Sequence, residues 1–325
     1  MRELVSRQVD ASWPGGTLER WLRRELGFST SLLRKLKACQ GLYVNGALAR
    51  TVDVVRPGDL VRVLLPAFVA PHVTPEPVTL SIVFEDRDIV LLDKPAGIVV
   101  HPTHGVYSGT LANGLAWHWQ QRGEIHGVHP LHRLDRDTSG LVLFAKHPWA
   151  HQHLDAQLKR RDLKRTYLAM VSGCPEQPFG TIDAPIALRG DHPVARAVDR
   201  NGQTAVTHWE RVKGFGIPVP EGSACLRLTL DTGRTHQIRV HLSYSGHPIW
   251  GDRLYGRPAP TGLARQALHA ATLGFFHPRT AEWFEFSAPL PSDMTLLDAV
   301  LSGVETVSSS SEPSAVSCEG GEKEV

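Results

Sequence analysis

Cysteine is scarce in this chain. Its 325 residues hold four, at Cys39, Cys174, Cys225 and Cys318. They lie too far apart to make a zinc-ligand spacing, and a chain of this length gives a disulfide framework no support. Reduced thiols in a cytoplasmic protein are therefore expected. Long apolar runs are missing too, since none approaches the roughly 18 residues that a membrane-spanning helix requires. The first residues mix acidic and basic side chains with no apolar h-region, so no secretory leader is expected. No internal repeat is visible.

Excess charge of either sign is also small, at +2 overall. Residues 303–325 hold five Glu and one Lys, a local −4, which leaves +6 for the rest. A balance of that size excludes a strong global field but allows local positive patches toward a polyanion. With 42% hydrophobic and 21% charged residues, the chain reads as soluble and globular. Its length suffices for one large core or for two to three domains.

Composition and periodicity divide the chain. Residues 1–16 read as an N-terminal extension and 17–66 as a small unit of their own. In that unit Leu18, Trp21 and Leu22 recur at helical spacing, and Leu32, Leu33 and Leu36 mark a second amphipathic helix. Gly27 and Ser29 supply a helix stop and an N-cap between them. Leu42-Tyr43-Val44-Asn45-Gly46 predicts a strand running into a hairpin turn, and Pro57-Gly58-Asp59 another turn. Residues 67–79 form a linker, Pro66, Pro71, Pro75 and Pro77 favouring an extended, semi-stiff connection. A large domain spans 80–302. Residues 303–325, with Ser308 to Ser311 and Gly320-Gly321, read as a disordered acidic, Ser-rich tail.

In the large domain Leu226, Leu228 and Leu230 alternate with polar residues as in a half-buried strand. His151 to Arg160 places Leu154 and Leu158 one turn apart, as in a helix. Strands outnumber helices and no βαβ rhythm appears. The fold class predicted is α+β around a mixed, mostly antiparallel sheet.

The densest chemistry lies in His132-Arg133-Leu134-Asp135-Arg136-Asp137-Thr138-Ser139-Gly140-Leu141, directly before the apolar run Val142-Leu143-Phe144-Ala145. Ionisable groups at the mouth of a buried strand need partners or a task. Arg133 and Arg136 could neutralise Asp135 and Asp137 in a purely structural loop. The stretch, however, resembles the catalytic signature of the RluA-type pseudouridine synthases, whose essential aspartate follows Arg-Leu and here is Asp135. Other blocks keep that family's order over roughly residues 80–292. Glu85 to Gly97 is similar to its first motif, ending in Lys94-Pro95-Ala96-Gly97, and Lys164-Arg165-Thr166-Tyr167-Leu168-Ala169 to its Lys-x-x-Tyr motif. Thr232 to His241, Gly246 to Asp252, Leu268-His269-Ala270 and Ala288 to Pro291 match later blocks. The first unit, with its Val-Asn-Gly and Gly-Asp turns, resembles the S4 RNA-binding module. That module lays its basic second helix along structured RNA. Thr30 stands where it often carries Arg.

The resemblance implies a pseudouridine-synthase-like domain preceded by a small S4-like α/β module, acting on RNA without cofactor. The reaction breaks the bond from N1 of uracil to C1′ of the ribose, turns the base and rebonds it through C5. No redox step or phosphate energy enters. The nucleotide must leave its stack. Asp135 is the candidate carboxylate, as nucleophile or as base at C2′. Arg239 is the candidate cation beside it, keeping it ionised, with Arg234 as rival. Tyr167 is the candidate stacking surface. Arg133 is a candidate for insertion into the vacated stack or for a phosphate contact. Lys164 could meet a phosphate or cover apolar surface with its stem. Arg34, Lys35 and Lys37 are the RNA-binding candidates of the S4-like unit, and Asp137 and Lys94 read as structural.

His126, His129 and His132 invite a metal reading, but Gly127 and Pro130 interrupt any helix that would align them, and no metal is expected. The expected partner is structured RNA, ribosomal first and transfer RNA second, for a monomer that meets no membrane. Two other functions compete: an inactive S4-type RNA-binding or ribosome-assembly protein, and a hydrolase using the histidines. The presence of Asp135, Arg239 and Tyr167 together favours the synthase.

Overall fold

In the first unit of the chain, caps and apolar faces agree on two short helices. The computed structural model describes residues 2–65, 73–216 and 222–303. Strand β1 (Arg2–Gln8) and the short β2 (Gly16–Thr17) precede helices α1 (Leu18–Leu26) and α2 (Thr30–Ala38). Thr17 and Ser29 cap the two helices, accepting from the amides of Arg20 and Leu32. Gly27 closes α1 in the left-handed conformation. Strands β3 (Leu42–Val44), β4 (Ala47–Leu48), β5 (Val54–Val55) and β6 (Leu60–Leu65) complete the unit. Asn45 and Gly46 both have positive φ, the backbone that a two-residue hairpin between β3 and β4 demands.

Strand β1 corrects one expectation. Residues 1–16 are not an appendage, because β1 pairs antiparallel with β6 along its length and forms the edge of a four-stranded sheet. Its buried Leu4 and Val5 belong to the unit's core.

The large domain runs β7 (Ile82–Glu85), β8 (Ile89–Lys94), α3 (Leu111–Gln121), β9 (His129–Pro130), β10 (Ser139–Ala145), α4 (Pro148–Arg160), β11 (Lys164–Ser172), β12 (Phe179–Asp183), β13 (Ile186–Leu188), β14 (Arg196–Val198), β15 (Val206–Phe215), β16 (Ser223–Leu230), α5 (Gln237–Tyr244), β17 (Leu268–Phe276), β18 (Trp283–Ser287) and α6 (Ser292–Leu301). Its ten-stranded sheet has the order β12-β15-β16-β11-β17-β10-β8-β7, with β18 joined to β17 and β9 to β10. Only β10 and β17 run parallel, so the sheet is mixed and mostly antiparallel as expected.

β8 and β10 are apolar at nearly every position because both of their faces are buried. Val90, Leu92, Val142 and Phe144 point to a core shared with α3, α5 and α6. Ile89, Leu91, Leu141 and Leu143 point the other way, into one core with α4 and the whole N-terminal unit. That unit is therefore docked on the sheet. From α4, Trp149 Nε1 donates to the Leu26 carbonyl at 3.0 Å and Gln152 accepts the Ser29 amide at 2.9 Å. Arg279 reaches the Leu4 carbonyl at 3.0 Å.

Of the expected linker, residues 67–72 lie outside the described residues, as does the expected tail from 304 onward. Residues 73–79 have no helix or strand but are held along α3, where Asn113 donates to the Thr74 carbonyl at 2.8 Å. Among the described residues no helix is long and apolar enough to cross a membrane.

Gly140 lets β10 come close to β17. Its φ is 108°, and a methyl group there would run into the Ala270 backbone. Gly140→Ala is expected to lower stability by about 2–5 kcal/mol, combining backbone strain with overpacking. Denaturant unfolding of the two proteins measures it, and a loss below about 1 kcal/mol would show that the strands can part without cost.

Candidate active site

The loop 131–138 carries its charges at the entrance to β10, and its backbone is held from several sides. Lys94 is fully buried, and its ammonium donates to the carbonyls of Arg136 at 2.6 Å, Ile98 at 2.8 Å and Pro95 at 2.9 Å. Burial pulls its pKa down to about 7, against the opposing pull of Asp137 and Asp135. Gly97 N–H also donates to the Arg136 carbonyl. The next carbonyl, of Asp137, accepts from Arg265 at 3.2 Å, and the Thr138 hydroxyl accepts from Gln266 at 3.1 Å. The Lys-Pro-x-Gly turn thus acts through the loop's backbone, which fits the structural reading of Lys94.

That scaffold presents the Asp135 carboxylate to Arg239 on α5, whose Nη1 donates to Oδ2 at 3.0 Å. The other side of the guanidinium is forked by Asp252, Nε to Oδ2 at 2.7 Å and Nη2 to Oδ1 at 2.8 Å. Asp252 is itself buried, and its Oδ1 accepts the amides of Leu254 and Tyr255. Burial disfavours the Arg239 charge, but Asp252 and then Asp135 more than compensate and raise its pKa above the ordinary value. The Tyr255 ring lies under the guanidinium, 5.1 Å from it.

A cleft of about 410 Å³ opens beside this pair, of a size suited to a small organic group. Asp135, Arg239, Tyr167, Arg133 and Arg234 all line it. Tyr167 comes from β11 and is 5% exposed, so most of its ring is packed. Arg234 does not pair with Asp135: its Nε donates to the Thr204 carbonyl at 3.0 Å. Lys164 is not among the lining residues; it is exposed and donates to the Arg161 carbonyl at 3.1 Å. Arg34, Lys35 and Lys37 are exposed on α2, Lys37 within 3.3 Å of Glu19.

Sequence reasoning passes over Asp252, Tyr255, Arg165 and His236. Asp252 closes one of the matching blocks, and an Asp two positions after Trp250, at the end of the apolar Ile249-Trp250, is the available signal. Arg165 and His236 line the cleft, and each lies close in sequence to a candidate residue.

The three histidines do not converge. His126 contacts Glu124 at 2.8 Å, His129 packs its ring near His151, and His132 accepts the Leu143 amide at 3.4 Å. Burial lowers the His132 pKa to about 3, so it stays neutral. Among the described residues Asp86, Asp88 and His277 are grouped closely enough to hold a metal. There the Arg279 guanidinium forks Asp88 at 2.6 Å on both oxygens and already supplies the countercharge.

The chain is similar to known proteins over most of its length. Residues 88–244 match the family described as RNA pseudouridylate synthase. The Bacillus subtilis protein named uncharacterized RNA pseudouridine synthase YhcT is 42% identical over 90% of this chain and 94% of its own length. Ribosomal large subunit pseudouridine synthase D of Xanthomonas campestris is 37% identical over 84% of this chain and 86% of its own. Human RNA pseudouridylate synthase domain containing 1 superposes with a TM-score of 0.53 at 25% identity, covering 70% of this chain and 96% of that one. With a fold, a carboxylate–guanidinium cleft and relatives that agree over nearly the whole chain, this protein belongs to the RNA pseudouridine synthases, isomerases that convert uridine in RNA to pseudouridine.

Proposed function

We propose that the chain isomerises uridine in large-subunit ribosomal RNA, with Asp135 as the carboxylate that acts on the ribose. The observation that carries the site is the single hydrogen bond from Arg239 to Asp135, made by a guanidinium whose other edge is committed to Asp252. One oxygen of Asp135 is thereby fixed and kept in company with positive charge, while the other has no hydrogen-bond partner among the described residues and is available to a substrate in the cleft. Nucleophilic attack at C1′ and proton removal at C2′ both use that oxygen. Tyr167 offers the face against which the loosened uracil can rest, and Arg133 and Arg234 at the rim suit the phosphates flanking it. Relatives named ribosomal large subunit pseudouridine synthase D support the choice of RNA.

The N-terminal unit, in this reading, is an S4-like RNA contact of a monomeric cytoplasmic enzyme, its α2 presenting Arg34, Lys35 and Lys37. At the place of the missing arginine, the Thr30 hydroxyl accepts from Arg23 at 3.2 Å, so α1 brings a guanidinium there. Deleting the unit is a poor test, because it would strip the apolar cover from β8, β10 and α4. Neutralising the face of α2 is a clean one.

Deleting the gene is expected to remove pseudouridine from at least one uridine of the large-subunit RNA. Wild-type protein should restore it, and Asp135→Asn, isosteric but neither nucleophile nor base, should not. Pseudouridine mapping of ribosomal and transfer RNA reads this out. A loss confined to transfer RNA would move the substrate, and restoration by Asp135→Asn would remove Asp135 from the chemistry.

Arg239→Lys keeps a charge but cannot serve Asp252 with a fork and Asp135 at once. A fall of at least tenfold in kcat is expected, since one such hydrogen bond is worth roughly 2–3 kcal/mol. Single-turnover kinetics decide, and an unchanged rate would leave Arg239 a purely structural tie.

With Arg34, Lys35 and Lys37 all changed to Gln, the slope of log affinity against log salt should flatten by up to about 2–3 units, near one for each phosphate no longer neutralised. Filter binding to large-subunit RNA over a salt series measures it. An unchanged slope would show that this helix does not meet the RNA.

A further inference from the structure

His236 sits immediately before α5 with φ of 58°, in the left-handed region. That conformation costs a residue with a side chain on the order of 1 kcal/mol, and glycine or asparagine would adopt it more easily. Its side chain does not cap the helix. Instead the ring forms part of the cleft wall, with only 13% of the side chain exposed.

The ring is held by Tyr255. Nδ1 lies 2.8 Å from the Tyr255 hydroxyl, and the two rings meet edge to face at 5.6 Å. The same hydroxyl oxygen accepts the backbone N–H of Arg196 at 2.7 Å. The hydroxyl has no other acceptor among the described residues for its own proton, and donating it to Nδ1 leaves the proton of the neutral imidazole on Nε2. Burial favours that neutral form, lowering the pKa below its ordinary value although Asp135 pulls the other way. Nε2 faces Oδ2 of Asp135 at 3.8 Å, beyond hydrogen-bond reach. Among the described residues it has no other hydrogen-bond partner. A donor of fixed direction thus stands beside the carboxylate, open to the cleft and unused by the protein.

We propose that His236 is a further catalytic residue, whose Nε2–H donates to a carbonyl oxygen of the target uracil as the base leaves the sugar. The inference rests on Asp135 being the carboxylate at the ribose. When the N1–C1′ bond breaks, its electron pair stays with uracil, and the charge spreads over N1, O2 and O4. Asp135 meets the sugar's deficit, by bonding C1′ or by taking the C2′ proton. His236 neither gives nor takes a proton: its hydrogen bond strengthens as charge gathers on the oxygen, and so favours the transition state over the bound nucleotide. A neutral donor this deep suits the base, whereas the flanking phosphates fall to the arginines of the rim. Tyr255 is a positioning residue, acting through the ring it orients.

The test uses single turnover on synthetic stem-loops carrying the mapped uridine, or 2-thiouridine or 4-thiouridine in its place. Sulfur is a weak acceptor, so each thio substitution removes one carbonyl acceptor in turn. His236→Asn, chosen because asparagine suits the left-handed backbone, should melt near wild type. It should lose tenfold or more in rate on uridine, with KM moved less than about threefold. On one of the two thio substrates that loss should shrink below about threefold, since enzyme and substrate changes then remove the same bond. Tyr255→Phe should show a smaller loss with the same thio dependence. A full loss retained on both thio substrates, or none on uridine, would overturn the proposal, and an unaffected Tyr255→Phe would count against the fixed ring. Asp135→Asn is run alongside. Turnover by that variant would sink the site reading itself, an outcome separate from anything seen with His236.

Discussion

One guanidinium shared by two carboxylates governs the cleft. Asp252 is enclosed, and the fork from Arg239 is the ion pair that meets it there. Arg239, equally enclosed, could not be left with Asp135 alone, because a single bond leaves most of its donors unmet. Asp252 therefore fixes the guanidinium in plane and angle, and Asp135 receives what remains. Because Asp252 lies in the turn after Trp250 and Asp135 in the loop before β10, the pairing pins together segments more than a hundred residues apart. The buried Lys94 performs a related task for the loop's backbone, and the two cations hold one short segment from opposite ends.

The parts of this arrangement that are local in sequence can be read from it. The helices α1, α2 and α4, the hairpin at Asn45-Gly46 and the alternation of β16 follow from spacing and caps. The continuous apolar run of β10 marks a strand buried on both sides. The grouping of Asp135, Arg239 and Tyr167 comes from motif resemblance, and their meeting in one cleft agrees with it. What cannot be read is relational. Lys164 and Tyr167 share a motif, but three apart on one strand they face opposite sides, and only once β11 is known does the lysine turn to the Arg161 carbonyl and away from the cleft. Arg234 and Arg239 are equivalent as residue types, and only the placement of Asp252 separates them. Strand β1 looks like an extension because its partner, β6, comes more than fifty residues later.

The same blindness to distant pairing hides the relation between the two units. A proline-rich connection suggests independence, but the N-terminal unit and one face of the large sheet share a single apolar core. Trp149, Gln152 and Arg279 then bind backbone groups of that unit, which fixes its orientation as well as its attachment. The proposed RNA-facing helix α2 is thus held in a set relation to the cleft. A substrate engaging both must present its uridine at a matching distance, so shape can select the RNA where base identity does not.

The shared core also bears on how the protein is made. Translation delivers the N-terminal unit first, complete at Leu65, while the residues that share its core extend to Ala288. At roughly 5–20 residues per second, the interval between them lasts on the order of 10–40 s. Until β8, β10 and α4 follow, the unit carries an uncovered apolar face on the nascent chain, and β8 and β10 in turn emerge before β17 exists to flank them. The apolar surface that joins the two units in the finished enzyme is, during synthesis, one exposed to aggregation.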